Sequence, residues 1–310
     1  MVREETEYLM SLIAYESHKF QPTALALIDY SNNIILDYQS QGFVLTLRQL
    51  YYQLVAKDII PNKQKEYDRL SNVISNARRS GLVDWNAIID RTRNIIGNKH
   101  EESPSSAISK LAKTYLRSLW QDQAIRPEVW VEKDAAIGVI ERICDELDVS
   151  YFSCRGYTSD SEIWQASQRF IRRDKRGQNN VILHIGDHDP SGIDMTRDIK
   201  DRLNLFTFNK GIFEVVRIAL NWDQIEKYNP PPNPAKASDS RFKSYAEKYG
   251  SESWELDALE PKVVEELIRK NVMKLIEKDK WNEVIDKVNQ ERKLLKKVAK
   301  NWDKIIENLN

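Results

Sequence analysis

The chain has 310 residues, 47 basic against 47 acidic side chains, 41% hydrophobic and 30% charged residues, which suits one large domain or two ordinary ones with a real core. Eight Trp, thirteen Tyr and eight Phe without low-complexity bias exclude a disordered chain, and no apolar run approaches the roughly 20 residues of a membrane span. A net charge of zero excludes a uniformly basic nucleic-acid coat, while a basic face and an acidic pocket can still coexist. The opening MVREETEYLMSLIAY carries acids and no apolar stretch ending in a cleavage site, so a cytoplasmic location is expected. Cys144 and Cys154 are the only cysteines, too few for a disulfide framework or a zinc spacing.

Residues 1–40 form a helical lead-in, with apolar residues at helical spacing (Leu9, Leu12, Ile13, then Leu25, Leu27, Ile28, Ile34, Ile35) that Pro22 divides into two helices. Thr46 then caps a helix whose stripe is Leu47, Leu50, Tyr51 and Leu54, stopped by Ile60-Pro61-Asn62. A second helix over residues 65–80 carries Tyr67, Leu70, Val73, Ile74 and Ala77 on one face and ends at Gly81. Residues 88–97 have β character. Helix, turn, helix and ribbon over residues 41–100 is the order of a winged helix-turn-helix domain. This stretch holds ten basic and five acidic residues, a net of +5 in a neutral chain. Arg69, Arg78 and Arg79 on its second helix and Arg91 and Arg93 on its ribbon are candidates for contact with the backbone of double-stranded DNA, although a solvated helix face would account for any one of them.

Residues 98–106 are polar and mark a domain boundary, after which a helix over residues 107–120 follows. Short apolar strands at residues 128–132, 149–153, 180–185 and 213–218 then alternate with helices over residues 135–147, 161–172 and 193–203. That alternation over residues 107–220 predicts an α/β domain, with a mostly parallel, Rossmann-like sheet covered on both faces. Within residues 221–310, a Pro-rich stretch over residues 229–234 reads as an extended connector, and the chain from Asp257 onward reads as a highly charged helical tail.

The sharpest local feature is His184-Ile-Gly-Asp-His-Asp-Pro-Ser-Gly192, where Asp187 and Asp189 stand at the end of a strand, the edge at which open α/β sheets bind ligands. Alternate residues of extended backbone point the same way, so the two can share a hard cation, and Asp-Pro-Ser-Gly is equally ordinary turn chemistry. Glu132 ends another strand on the same edge, and three such carboxylates repel unless a divalent ion is present. Glu255 can extend the set, Asp257 and Glu260 suit a helix N-terminus, and His188 points away from the acids. No nucleotide-binding loop and no Ser/His/Asp order stands out.

Glu132 in VWVEKDAA, Arg155-Gly-Tyr157 and Gly186-Asp-His-Asp-Pro-Ser-Gly-Ile-Asp194 resemble the Toprim pattern, most closely that of the A subunit of topoisomerase VI and its relative, the meiotic double-strand-break transesterase. Here Arg155 stands for the family's Lys and Thr158 for its Pro. Leu47-Arg48-Gln-Leu-Tyr51-Tyr52 is similar to the segment carrying that family's nucleophilic tyrosine, and the likeness covers roughly residues 40–220. The resemblance implies a winged helix followed by a Toprim domain in a short stand-alone version. It further implies Mg²⁺ on Glu132, Asp187 and Asp189, Arg155 facing phosphate, Tyr52 attacking a DNA phosphodiester, a homodimer, and a separate ATPase subunit for any ATP-driven cycle. Read from the residues alone, Tyr51 fits the apolar stripe, whereas Tyr52 lies off its centre with Arg48 four residues earlier on its own face. If Tyr52 is not the nucleophile, the same acids suit a hydrolytic, metal-dependent DNA nuclease.

Overall fold

The computed structural model describes residues 12–89 and 100–308. Three helices come first: α1 (Pro22–Ser40), α2 (Leu47–Ala56) and α3 (Gln64–Arg79). Pro22 sits in the first turn of α1, where its missing N–H costs nothing. Residues 12–21, expected as part of a lead-in helix, are extended instead: Tyr15 N–H donates to the Arg79 carbonyl at 2.7 Å and Ala14 bridges Ser80. Gly81 turns at φ +71°, and a Cβ there would stand 3.1 Å from the Ala14 nitrogen, so only glycine both ends α3 and lets that segment approach. Helix α2 is closed by a reciprocal capping box between Thr46 and Gln49. Its Leu50 and Leu54 pack with Leu70, Ile74 and Ala77 of α3 and Ile28 and Ile35 of α1 into one buried cluster. The expected ribbon falls mostly on residues 90–99, and with it Arg91 and Arg93; these lie outside the described residues.

The second body is a four-stranded, wholly parallel sheet in the order β2-β1-β3-β4. Its strands are β1 (Ile125–Val131), β2 (Ser150–Ser153), β3 (Asn179–Ile185) and β4 (Phe213–Ala219). Helix α4 (Pro104–Thr114) leads in, three residues earlier than expected because Ser103 caps it with Pro104 at N1. Between the strands run α5 (Ile137–Glu146), α6 (Asp160–Asp174) and α7 (Pro190–Phe206). Alternate residues feed opposite faces: Val129, Val131, Leu183 and Ile185 join the core under α5, and Trp130 and Ile182 join the one under α6 and α7. The α/β class and the parallel sheet expected from the alternation are present.

The rest of the chain wraps this sheet. Helix α8 (Trp222–Tyr228) precedes a two-residue antiparallel pairing of β5 (Asn233–Pro234) with β6 (Glu252–Ser253), so the Pro-rich connector ends in a strand. Helix α9 (Phe242–Tyr249) lies between them. The tail does not become helical at Asp257: a 3-10 turn, Leu256–Ala258, comes before α10 (Pro261–Met273), α11 (Lys278–Lys300) and α12 (Trp302–Glu307). Helix α10 packs on α5, α11 packs on α4, and the 3-10 turn packs against α2. No described helix is long and apolar enough to cross a membrane.

Candidate functional site

The chain leaves β1 toward β2 on one side and returns to β3 on the other, so the strand order reverses between β1 and β3. The carboxyl ends of the strands at such a reversal are where open α/β sheets bind ligands. Val131 pairs in register with Ile185, which places Glu132 beside the loop starting at Gly186. Glu132 Oε2 accepts the Asp187 N–H at 2.8 Å, and a Cβ on Gly186 would come within 2.9 Å of that oxygen. Gly192 is equally constrained, because a Cβ there would collide with the Asp187 carbonyl. The glycines of this loop let a carboxylate and a backbone turn occupy the same space.

Burial, and then the Asp187 charge, push the Glu132 carboxyl up to about 7. Burial pushes the Asp187 carboxyl up as well, against the pull of the Lys133 ammonium that touches its Oδ2 and the Leu256 N–H that donates to its Oδ1 at 2.9 Å. Asp189 caps α7, its Oδ1 accepting the Gly192 N–H at 2.6 Å and the Ser191 hydroxyl at 3.0 Å. Behind the loop, Arg217 of β4 donates to the carbonyls of Gly186 (2.9 Å), Asp187 (2.5 Å) and Gly192 (2.9 Å) and so fixes the turn that carries the acids. Burial lowers the Arg217 guanidinium to about 10.

The segment leaving β6 crosses this edge. Trp254 and His188 exchange backbone hydrogen bonds at 2.8 and 3.0 Å, and His188 Nδ1 meets the Tyr245 hydroxyl at 2.8 Å amid Trp222, Tyr249 and Trp254. His188, which lies beyond the end of β3, thus packs among these aromatic rings. Glu255 is gripped by Arg48 of α2, whose Nη2 lies 2.9 and 2.8 Å from its two oxygens, and by Lys133 at 3.2 Å. Burial works against its charge, but Lys133, Arg48 and the Tyr52 hydroxyl outweigh that and hold it below the ordinary range. Asp257, expected at a helix N-terminus, is buried with Oδ2 lacking a hydrogen-bond partner and 3.9 Å from Arg48 Nε; burial and Asp187 raise it to about 6.

Tyr52 is only 3% exposed, which corrects its expected position off the buried stripe: the strap from β5 to Glu255 covers the side of α2 that the first three helices leave open. Its hydroxyl receives a long contact from Asn233 Nδ2 at 3.4 Å and reaches Glu255, and burial followed by the Glu255 charge pushes the phenol up to about 12. Arg48 stacks 5.8 Å from its ring centre. Tyr51 donates within its own helical module, to Asn62 at 3.1 Å and the Lys63 carbonyl at 3.2 Å. Arg155, at φ 54°, pairs with Asp134 at 2.9 Å and is largely exposed. Asp194 serves Tyr157, Arg197 and Arg241 rather than the acids one turn before it.

Along α3 the arginines differ. Arg69 pairs with Glu66 at 2.9 Å and Arg79 with Glu16 at 3.6 Å, both well exposed. Arg78 instead donates to the carbonyls of Trp85 and Ile88 and stacks on Trp85. A groove of about 540 Å³ runs between this helix and the sheet edge, with Arg48, Tyr67, Arg78, Arg79 and Asp134 among its lining. Lys133 and Arg217 complete the site without having stood out in sequence, and Glu255, expected only as an extension of the acidic set, is instead the partner of Arg48 and Lys133. Arg217 had a signal, being the one charge within the apolar run Val-Val-Arg-Ile-Ala, which needs a buried partner. Compared with protein-family models, characterised proteins and solved structures, the chain matches none.

Proposed function

We propose that this chain breaks double-stranded DNA in a Mg²⁺-dependent reaction of the topoisomerase VI A type, with Tyr52 as the attacking group. The observation that carries this reading is a run of polar groups within one subunit: Tyr52 beside Glu255, whose charge it feels, then Glu255 to Lys133, Lys133 to Asp187, and the Asp187 N–H to Glu132. It joins a phenol on the helical module to carboxylates at the switch point of the sheet, where phosphate chemistry has a groove and basic side chains beside it. The tyrosine and the acids of a single chain are thus linked, and the run itself calls on no second protomer. A homodimer and an ATPase subunit remain part of the resemblance alone.

The donor set suits a hard cation: oxygen ligands only, with the Glu132 carboxyl raised first by burial and then by the neighbouring Asp187 charge. Glu132, Asp187 and Asp189 are the residues that would hold Mg²⁺, whose contribution is to neutralise charge on the phosphate. Among the described residues no three such side chains already form a cage, and Lys133 must release Asp187 first. In the transesterification, the Tyr52 phenol gives up its proton and its oxygen bonds to phosphorus while the DNA oxygen leaves and takes up a proton, so that the broken strand stays linked as a phosphotyrosine. Water as nucleophile is the second reading, favoured by the burial of Tyr52 and its raised phenol. Glu132→Gln, Asp187→Asn and Asp189→Asn should each abolish Mg²⁺-dependent nicking of a labelled duplex while retaining its binding; undiminished nicking in all three would refute the assignment.

A further inference from the structure

The carboxylate of Glu255 is surrounded as a phosphate would be. Arg48 presents its planar fork to both oxygens, at 2.9 and 2.8 Å from Nη2 and 3.3 Å from Nε. Lys133 Nζ approaches from the sheet edge at 3.2 Å, and the Tyr52 hydroxyl reaches it from α2. A guanidinium fork with an ammonium and a hydroxyl on the far side is a general solution for binding a phosphoryl group. The ligand filling it is the chain's own, brought from 207 residues away on a strap pinned by the Trp254–His188 pairing and the Leu256 N–H on Asp187. The cations remain open to solvent, with 45% of the Arg48 and 35% of the Lys133 side chain exposed. A recess of about 240 Å³ beside them is lined by Tyr52, Lys63, Asn233 and Glu255.

We propose that Arg48, Lys133 and Tyr52 form a phosphate-binding site whose resident occupant is the Glu255 carboxylate, so that an incoming phosphate binds by displacing it. That the phosphate belongs to a DNA backbone rests on the function proposed above; the anion site rests on its own geometry.

The test is titration calorimetry at low salt without Mg²⁺, with inorganic phosphate and, separately, a 20-base-pair DNA duplex. Glu255→Gln removes the competing charge and is expected to tighten phosphate binding about tenfold or more over the unaltered chain, the effect of one charge-assisted contact. Adding Arg48→Ala to it should cancel the gain. Glu255→Asp keeps the charge but draws the carboxylate back by one methylene; it is expected to give a smaller gain in the same direction, and it decides the matter if the Gln variant fails to fold by circular dichroism. Tightening for both ligands supports a site for backbone phosphate. Tightening for phosphate alone supports the anion site and counts against its use on DNA. Unchanged phosphate affinity in the folded variants, or a gain that survives Arg48→Ala, overturns the proposal.

Discussion

Asp257 holds an oxygen, Oδ2, in the interior with no hydrogen bond, and burial with the neighbouring Asp187 charge raises its carboxyl to about 6. Such an acid binds its proton more tightly folded than unfolded, so its contribution turns unfavourable as pH rises from about 4 to about 6. Asp257→Asn should therefore stabilise the chain at pH 8 by up to about 3 kcal/mol, since each pH unit of that interval is worth roughly 1.4 kcal/mol, and by almost nothing at pH 4. Urea unfolding at the two values checks this, and equal effects at both would show that the charge is not the cause. Tyr52→Phe loses only one long contact and the reach to Glu255, so its cost should stay within about 1.5 kcal/mol. A melting temperature close to the unaltered chain would make any loss of activity in that variant a chemical effect.

At the scale of elements, β1 is anchored to α6 by an ion network. Glu128 of β1 is buried between Arg169 at 3.1 Å and Arg173 at 2.8 Å of α6 and accepts from the Trp130 indole at 3.0 Å. Burial opposes its charge, yet the two arginines win and hold it below the ordinary carboxylate range. That stabilisation is present above the unfolded carboxylate pKa and is lost as pH falls through the lower folded value. Glu128→Gln should cost about 3–5 kcal/mol near neutrality, the penalty for leaving buried charge unpaired, and less in acid. Helix α3 divides likewise: Arg78→Ala should lower the melting temperature because it strips two loop carbonyls of their donor. Arg69→Ala and Arg79→Ala should leave stability alone and each reduce the log–log salt slope of DNA binding by about 0.9. A slope unchanged in both would make this an ordinary solvated face.

Elements of this kind were legible in sequence where one local pattern decides them. Strands buried on both faces read as unbroken apolar runs, and Thr46 announced the start of α2. Glu132 and Asp187 were legible because a strand end fixes where the next side chain stands. Residues 12–21 were misread because their backbone is claimed by a distant partner, the end of α3, which overrides helical spacing. The clasp of Arg48 on Glu255 has no periodic signature at all: two ordinary surface-type residues meet only because β5 and β6 fold back over α2.

For the molecule as a whole, the strap ties the helical module to the sheet, since the 3-10 turn at residues 256–258 packs on α2 while Leu256 binds Asp187. The buried acids, the basic side chains beside them and Tyr52 are thereby held in one arrangement, and the central claim is that this arrangement forms a bond to DNA. The most direct measurement is to incubate end-labelled duplex DNA with the protein and Mg²⁺, denature, and look for label migrating with the polypeptide. The account predicts a Mg²⁺-dependent covalent adduct that survives Tyr51→Phe and disappears with Tyr52→Phe. Strand breaks in both variants with no label on the protein would transfer the chemistry to water, and intact DNA under every condition would contradict the account.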